Sequence, residues 1–220
     1  MTDRLFFALW PDERQRRALT RVWEELSDHP GHKTHPEDLH LTLVFLGDLD
    51  AEGHACAEVV AGRVRGLPFV LYLDHLDAFP RARVLWCGVL ERPQPLMDLR
   101  QTLDKGLRDC GFHPERHTFE PHVTLVCKAR SVPVREIRPP IVWPVSDFVL
   151  VSARPGQYPR YRVEHRWPLI PYGIMGVLKN SLGILRGAKS KCDLDSAPFF
   201  KSRSESLVFS LLPFFKHLCA

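Results

Sequence analysis

"HLTLVFLG" spans His40–Gly47 and "HVTLVCKA" spans His122–Ala129, so the phrase His-x-Thr-Leu-Val is written twice, 82 positions apart. Both stretches read as β-strands, in which successive side chains point to opposite faces. Alternation places His40, Thr42 and Val44 on one face, with Leu41, Leu43 and Phe45 turned toward a core. In the second copy His122, Thr124 and Val126 line up opposite Val123, Leu125 and Cys127. Each copy thus offers one imidazole and one hydroxyl from a strand anchored on its reverse side. Thr is an ordinary strand residue, so one copy alone could be a polar strand face. Four identical positions out of five, with His twice at the head, favour two half-sites around one substrate.

Strands and helices alternate around these motifs. "RLFFALWP" (4–11) reads as a strand stopped by Pro11. "DERQRRALTRVWEEL" comes next, with Ala18, Leu19, Val22, Trp23 and Leu26 on one helical face and Asp12 and Glu13 in the first turn. Asp50 is placed to cap a second helix reaching about Gly66. Strands at 69–79 and 83–90 form a hairpin, and the spacing of Leu96, Leu99, Leu103 and Leu107 predicts a helix over 94–110 with Gly111 as its stop. Three further strands are expected at 121–127, 145–153 and 161–169. The hairpin excludes a purely parallel sheet, and the class is α+β with one His-x-Thr strand in each half. The expected division is a two-lobed domain over 1–169. From Ile170 to residue 220 the pattern is lost, and a poorly ordered appendage with one short helix is expected.

Composition narrows the function. The net charge is +4, and seven basic against three acidic residues from Ile170 onward account for all of it. A neutral body lacks the broad basic stripe of a long nucleic-acid footprint, yet could still grip one phosphate. The apolar run 207–215 contains Pro213 and is far shorter than the roughly 20 residues a membrane span needs. No signal-peptide pattern opens the chain, and Cys56, Cys87, Cys110, Cys127, Cys192 and Cys219 form no C-x-x-C pair. The expectation is therefore a reduced, cytoplasmic monomer, with Cys87 and Cys127 as buried thiols. His29, His32 and His35 recur every third residue among Pro and Gly, and His113 and His117 flank a Pro. Neither group has the partners that a metal site requires, and no cofactor is expected. His54, His75 and His165 read as surface or packing residues.

Two imidazoles facing one pocket can serve as acid and base near neutral pH. Hydroxyls beside them can hold the oxygens of a phosphodiester while charge builds up there. On "RLFFALWPDE", "DLHLTLVFLGDL", "AFPRARVLWCGV", "FEPHVTLV" and "YRVEHRWPL" the chain resembles the two-histidine (2H) phosphoesterase superfamily, in particular its LigT/ThpR-type RNA 2′,3′-cyclic phosphodiesterases. The resemblance implies a bilobal fold, with two pseudo-symmetric lobes of antiparallel sheet flanked by helices around a central cleft. It implies a substrate of RNA ending in a 2′,3′-cyclic phosphate, tRNA fragments included, opened to a 2′-phosphate without a metal. His40 would be the proton donor, His122 the proton acceptor, and Thr42 and Thr124 the phosphate ligands. Some relatives also run the chemistry backwards as 2′–5′ ligation. Many carry Arg where this chain has Cys127, which leaves Lys128 and Arg130 as candidates for the missing charge. An RNA-end-binding module with weak catalysis, or a 2H enzyme for a small cyclic nucleotide, stays open beside the main reading. Phe45 and Phe119 flank the motifs as residues that could stack a base, although alternation assigns Phe45 to the core.

Overall fold

A computed structural model describes residues 3–25, 31–112, 118–129, 134–154 and 156–170. The expected appendage, His29, His113, His117 and Arg130 lie outside them. Strand β1 (Asp3–Leu9) leads into helix α1 (Glu13–Glu24), whose N-cap Asp12 accepts the N–H groups of Arg14 and Gln15. The short β2 (His32–Lys33) and a 3₁₀ turn (Pro36–Asp38) precede β3 (Leu41–Leu49). Asp50 caps α2 (Ala51–Arg63) through Gly53 N. The hairpin β4 (Phe69–Phe79) and β5 (Val84–Gly88) then leads to α3 (Gln94–Arg108), which buries Leu96, Leu99, Leu103 and Leu107 as its spacing predicts. Strands β6 (His122–Cys127), β7 (Arg135–Val145), β8 (Asp147–Ala153) and β9 (Tyr161–Pro168) complete the order.

The strands form one antiparallel sheet in the order β7-β4-β5-β6-β3-β1-β8-β9, with β2 paired to β6. The two motif strands are its central neighbours, joined through the pair Leu41↔Val123. Four strands fan out on each side of that joint, so the α+β, two-lobed expectation holds and the lobes are two halves of one sheet. The chain crosses between them: β8 and β9 return to the lobe of β1 and β3. The helices also cross over. Helix α1 comes after β1 but packs on β6 and β7, and α3 comes after β5 but packs on β3. All three helices bury their apolar faces in the main core with Phe7, Leu41, Leu85 and Leu125. The opposite sheet face carries two smaller apolar clusters, Phe6, Ala8, Val149 and Val151 in one lobe and Val84 and Trp86 in the other.

Strand β7 is absent from the sequence expectation because "REIRPPIVWPV" holds three prolines, which argue against a central strand. Among the described residues it lies at the sheet edge and pairs only with β4, so three missing N–H donors break no second ladder there. The expectation of reduced thiols also fails in part. Cys87 is free and buried. Cys56 of α2 and Cys110, just past α3, form a disulfide with a Cα–Cα distance of 5.9 Å, and Cys127 is disulfide-bonded as well. Spacing along the chain carried no sign of this, because the two helix ends meet only through packing. Among the described residues no helix is long and apolar enough to cross a membrane.

Candidate active site

The repeated phrase encodes more than alternation. On β3, Thr42 pairs with Ala8 and Val44 with Phe7, which leaves Leu43 as the extra residue of a β-bulge. On β6, Thr124 pairs with Trp86 and Val126 with Leu85, leaving Leu125 extra. A bulge re-aims the side chains beyond it. Val44 and Val126 therefore enter the main core together with Leu43 and Leu125, not the His/Thr face to which strict alternation assigned them. Phe45 moves the other way, out of the expected core and onto the open face against Phe6, Ala8 and Val151. Cys127 holds the matching place on β6, opposite Val84. Phe119 lies on the helical side beneath the Arg100 guanidinium, 4.4 Å from its ring centre, so it is not positioned to stack a base in the cleft.

Counting antiparallel from Leu41↔Val123 sets His40 across from Thr124 and Thr42 across from His122. The four predicted groups thus flank one joint between the two central strands, and the His122 charge acts on His40. His40 and Thr124 are buried and His122 is partly buried. The rings are held alike: His40 Nδ1 donates to the Asp38 carbonyl at 2.6 Å, and His122 Nδ1 donates to the Glu120 carbonyl at 2.7 Å. A carbonyl can only accept, so each neutral ring carries its proton on Nδ1 and has its lone pair on Nε2.

Each ring also sits in an aromatic wall that the motifs alone did not reveal. Trp10 stacks on His40 at 5.6 Å and 10°, while Phe6 lies at 4.9 Å and Tyr161 stands edge-on at 5.1 Å. His122 meets Phe79 at 5.1 Å and Trp86 at 5.7 Å. A Cβ on Gly88, across from His122, would meet the Trp86 ring at 2.4 Å, so only glycine lets that ring lie over the strand. One signal was available: Phe6, Ala8 and Trp10 alternate with Leu5, Phe7 and Leu9, and a strand apolar on both faces is covered on both. Lys128 does not supply the missing charge from the strand. Strand β6 ends at Cys127, and Lys128 is exposed in the left-handed region (φ 56), where its carbonyl accepts from Arg83.

Burial lowers both histidine pKa values from 6.5 to about 4, partly offset by the carbonyl contacts; His122 lowers His40 further. Both rings are therefore neutral at pH 7 in the free protein. Because the folded pKa values lie below those of an unfolded chain, the unfolded state binds more protons between pH 6.5 and 4. Stability is thus expected to fall as the pH drops through that window and to level off near 4, with up to about 3 kcal/mol lost per ring. Melting temperatures recorded from pH 4 to 7.5 check this. Replacing either histidine by Asn should flatten the slope, and a slope unchanged from wild type in both Asn variants would assign acid sensitivity elsewhere.

Among the described residues no group of three His, Cys, Asp or Glu side chains could hold a metal ion. Of the triplet weighed in the sequence, His32 and His35 are exposed, and His35 Nδ1 accepts from Glu37 N.

Comparison with known proteins agrees with this geometry. The 2′-5′ RNA ligase superfamily profile matches residues 10–157. The RNA 2′,3′-cyclic phosphodiesterase of Escherichia coli K12 is 32% identical over 171 residues, covering 76% of this chain and 97% of that protein. The enzyme of the same name from Methanothermobacter thermautotrophicus is 35% identical over 132 residues, covering 57% and 71%. The crystal structure of E. coli LigT complexed with 3′-AMP superposes with a TM-score of 0.71 at 29% identity, covering 77% of this chain and 99% of that one. TT0787 of Thermus thermophilus superposes with a TM-score of 0.67 at 26% identity and the same coverage.

Proposed function

Because this chain belongs to the 2′-5′ RNA ligase superfamily, we propose that its paired His-x-Thr strands hydrolyse a 2′,3′-cyclic phosphate at an RNA end. The observation that carries this reading is the pairing of β3 with β6. It sets two identically anchored imidazoles on one sheet face, each opposite the other strand's threonine. In-line displacement at phosphorus needs a base on one side and an acid on the other. His122, neutral at pH 7, takes a proton from water through Nε2 as the water oxygen bonds to phosphorus. The P–O3′ bond breaks, and a proton from His40 Nε2 goes to the departing O3′. The product is a 2′-phosphate beside a 3′-hydroxyl. The bound phosphate anion favours the charged His40 ring and so loads the acid. Thr42 and Thr124 donate their hydroxyl protons to the non-bridging oxygens, where negative charge is concentrated.

Every step uses only this chain's own groups. A short RNA ending in a 2′,3′-cyclic phosphate is therefore expected to be hydrolysed in the presence of EDTA, with a 2′-phosphate at the product end. A 3′-phosphate product would reverse the direction of bond cleavage and remove the acid role of His40 and the base role of His122. Activity lost in EDTA and restored by a divalent cation would overturn metal independence. Tight binding of the RNA end without turnover would instead favour a binding module, a reading motivated by Cys127 in the place of a cation.

A further inference from the structure

The two half-sites differ behind their histidines. The Glu120 side chain points away and pairs with Arg92 at the surface. Asp38, its counterpart, is 4% exposed. Its Oδ2 accepts the Arg160 N–H at 3.0 Å and its Oδ1 accepts the Tyr161 N–H at 3.1 Å. A buried carboxylate thus clamps two consecutive amides at the start of β9, while its own carbonyl holds His40 Nδ1. One residue sets the position of His40 and of the segment that walls it.

That segment is cationic and close. The Tyr161 ring stands edge-on to His40 at 5.1 Å, and the Arg160 side chain hydrogen-bonds it. Arg160 is partly buried, and its guanidinium also lies 6.0 Å from the Tyr158 ring centre. In the opposite lobe Cys127 occupies the cleft-facing place after the bulge, and Lys128 has left the strand. The Arg160 guanidinium is thus linked to the His40 ring through one side chain, Tyr161. We propose that Arg160 binds the substrate phosphate in the acid half-site and that Asp38 is the positioning residue that holds it there. The inference rests on the phosphodiesterase reading of the same cleft.

The test uses the full-length chain and four variants: Arg160→Ala, Arg160→Lys, Asp38→Asn and the double variant Asp38→Asn/Arg160→Ala. Two quantities are read, KM for the cyclic-phosphate RNA and Ki for inorganic phosphate as competitor. A hydrogen bond to a charged group supports a change of roughly tenfold or more. Arg160→Ala is expected to raise both constants by about that factor while kcat moves far less, and Arg160→Lys to recover part of the loss. Asp38→Asn keeps the side-chain shape but opposes one of the two amides with its own N–H groups, so it should raise both constants in the same direction. The double variant should be no worse than Arg160→Ala, because Asp38 acts through Arg160. Unchanged constants in Arg160→Ala, or effects that multiply in the double variant, would overturn the proposal. If the wild-type chain does not turn the RNA over, the phosphodiesterase reading fails by itself. Phosphate affinity measured by thermal shift on the same proteins still decides the role of Arg160.

Discussion

Replacing His122 by alanine is expected to lower kcat by roughly 10²–10⁴-fold, the usual contribution of a positioned general base. The His40→Ala variant is expected to lose a similar factor as the acid is removed. The two losses should not multiply in the double variant, since a proton taken without a proton given leaves the displacement incomplete. Folding should survive, because both rings lie on the open face of the sheet, outside the core shared with the helices. His122→Gln provides a control with more volume beside Phe79 and Trp86, whose rings meet His122 at 5.1 and 5.7 Å. Turnover of the cyclic-phosphate RNA within a few-fold of wild type in any of these variants, with an unchanged melting temperature, would remove the two-histidine mechanism. Loss of turnover together with loss of folding in His122→Ala but not in His122→Gln would show a packing defect, and the Gln variant would then carry the kinetic test.

The second large effect concerns the back of the molecule. The Cys56–Cys110 bond spans 54 residues of sequence. Closing a loop of that size removes unfolded-state entropy worth about 4 kcal/mol in the chain-entropy treatment. The joined helices already touch closely: a Cβ on Gly106 of α3 would meet Val60 of α2 at 2.6 Å. The native packing is therefore not created by the bond, and the Cys56→Ala/Cys110→Ala variant should fold to the same structure. It is expected to melt roughly 10 °C lower while keeping kcat at 25 °C, because the active groups sit on the other face of the sheet. An unchanged melting temperature would show that the cross-link adds nothing to stability in solution. A fall in kcat at 25 °C would couple the helical layer to the cleft.

The repeated phrase was legible as a pair of half-sites because its chemistry is local: His, Thr and their spacing belong to one strand each. The helices were legible for the same reason. Asp12 and Asp50 cap α1 and α2 through amides two or three residues away, and four leucines of α3 lie on one face by spacing alone. Family membership rested on the same short stretches. What alternation misassigned at Val44, Phe45 and Val126 was decided elsewhere in the chain. A bulge exists only relative to a partner strand, and the partners, β1 and β5, lie some 30 to 40 residues away in sequence. The prolines of β7 could be reconciled with a strand only once that strand was known to lie at an edge. Asp38 reads as one more acidic residue before the motif. Its role depends on Arg160 and Tyr161, brought to it from 122 and 123 positions away by the return of β8 and β9 to the first lobe. The sequence by itself thus determined the His-x-Thr groups proposed to carry the chemistry and the segments that mount them, since propensity, capping and periodicity act over a few residues. The tertiary structure alone decided which faces the bulged residues turn to, which cysteines meet and which distant amides Asp38 holds, because each depends on the pairing and packing of distant segments.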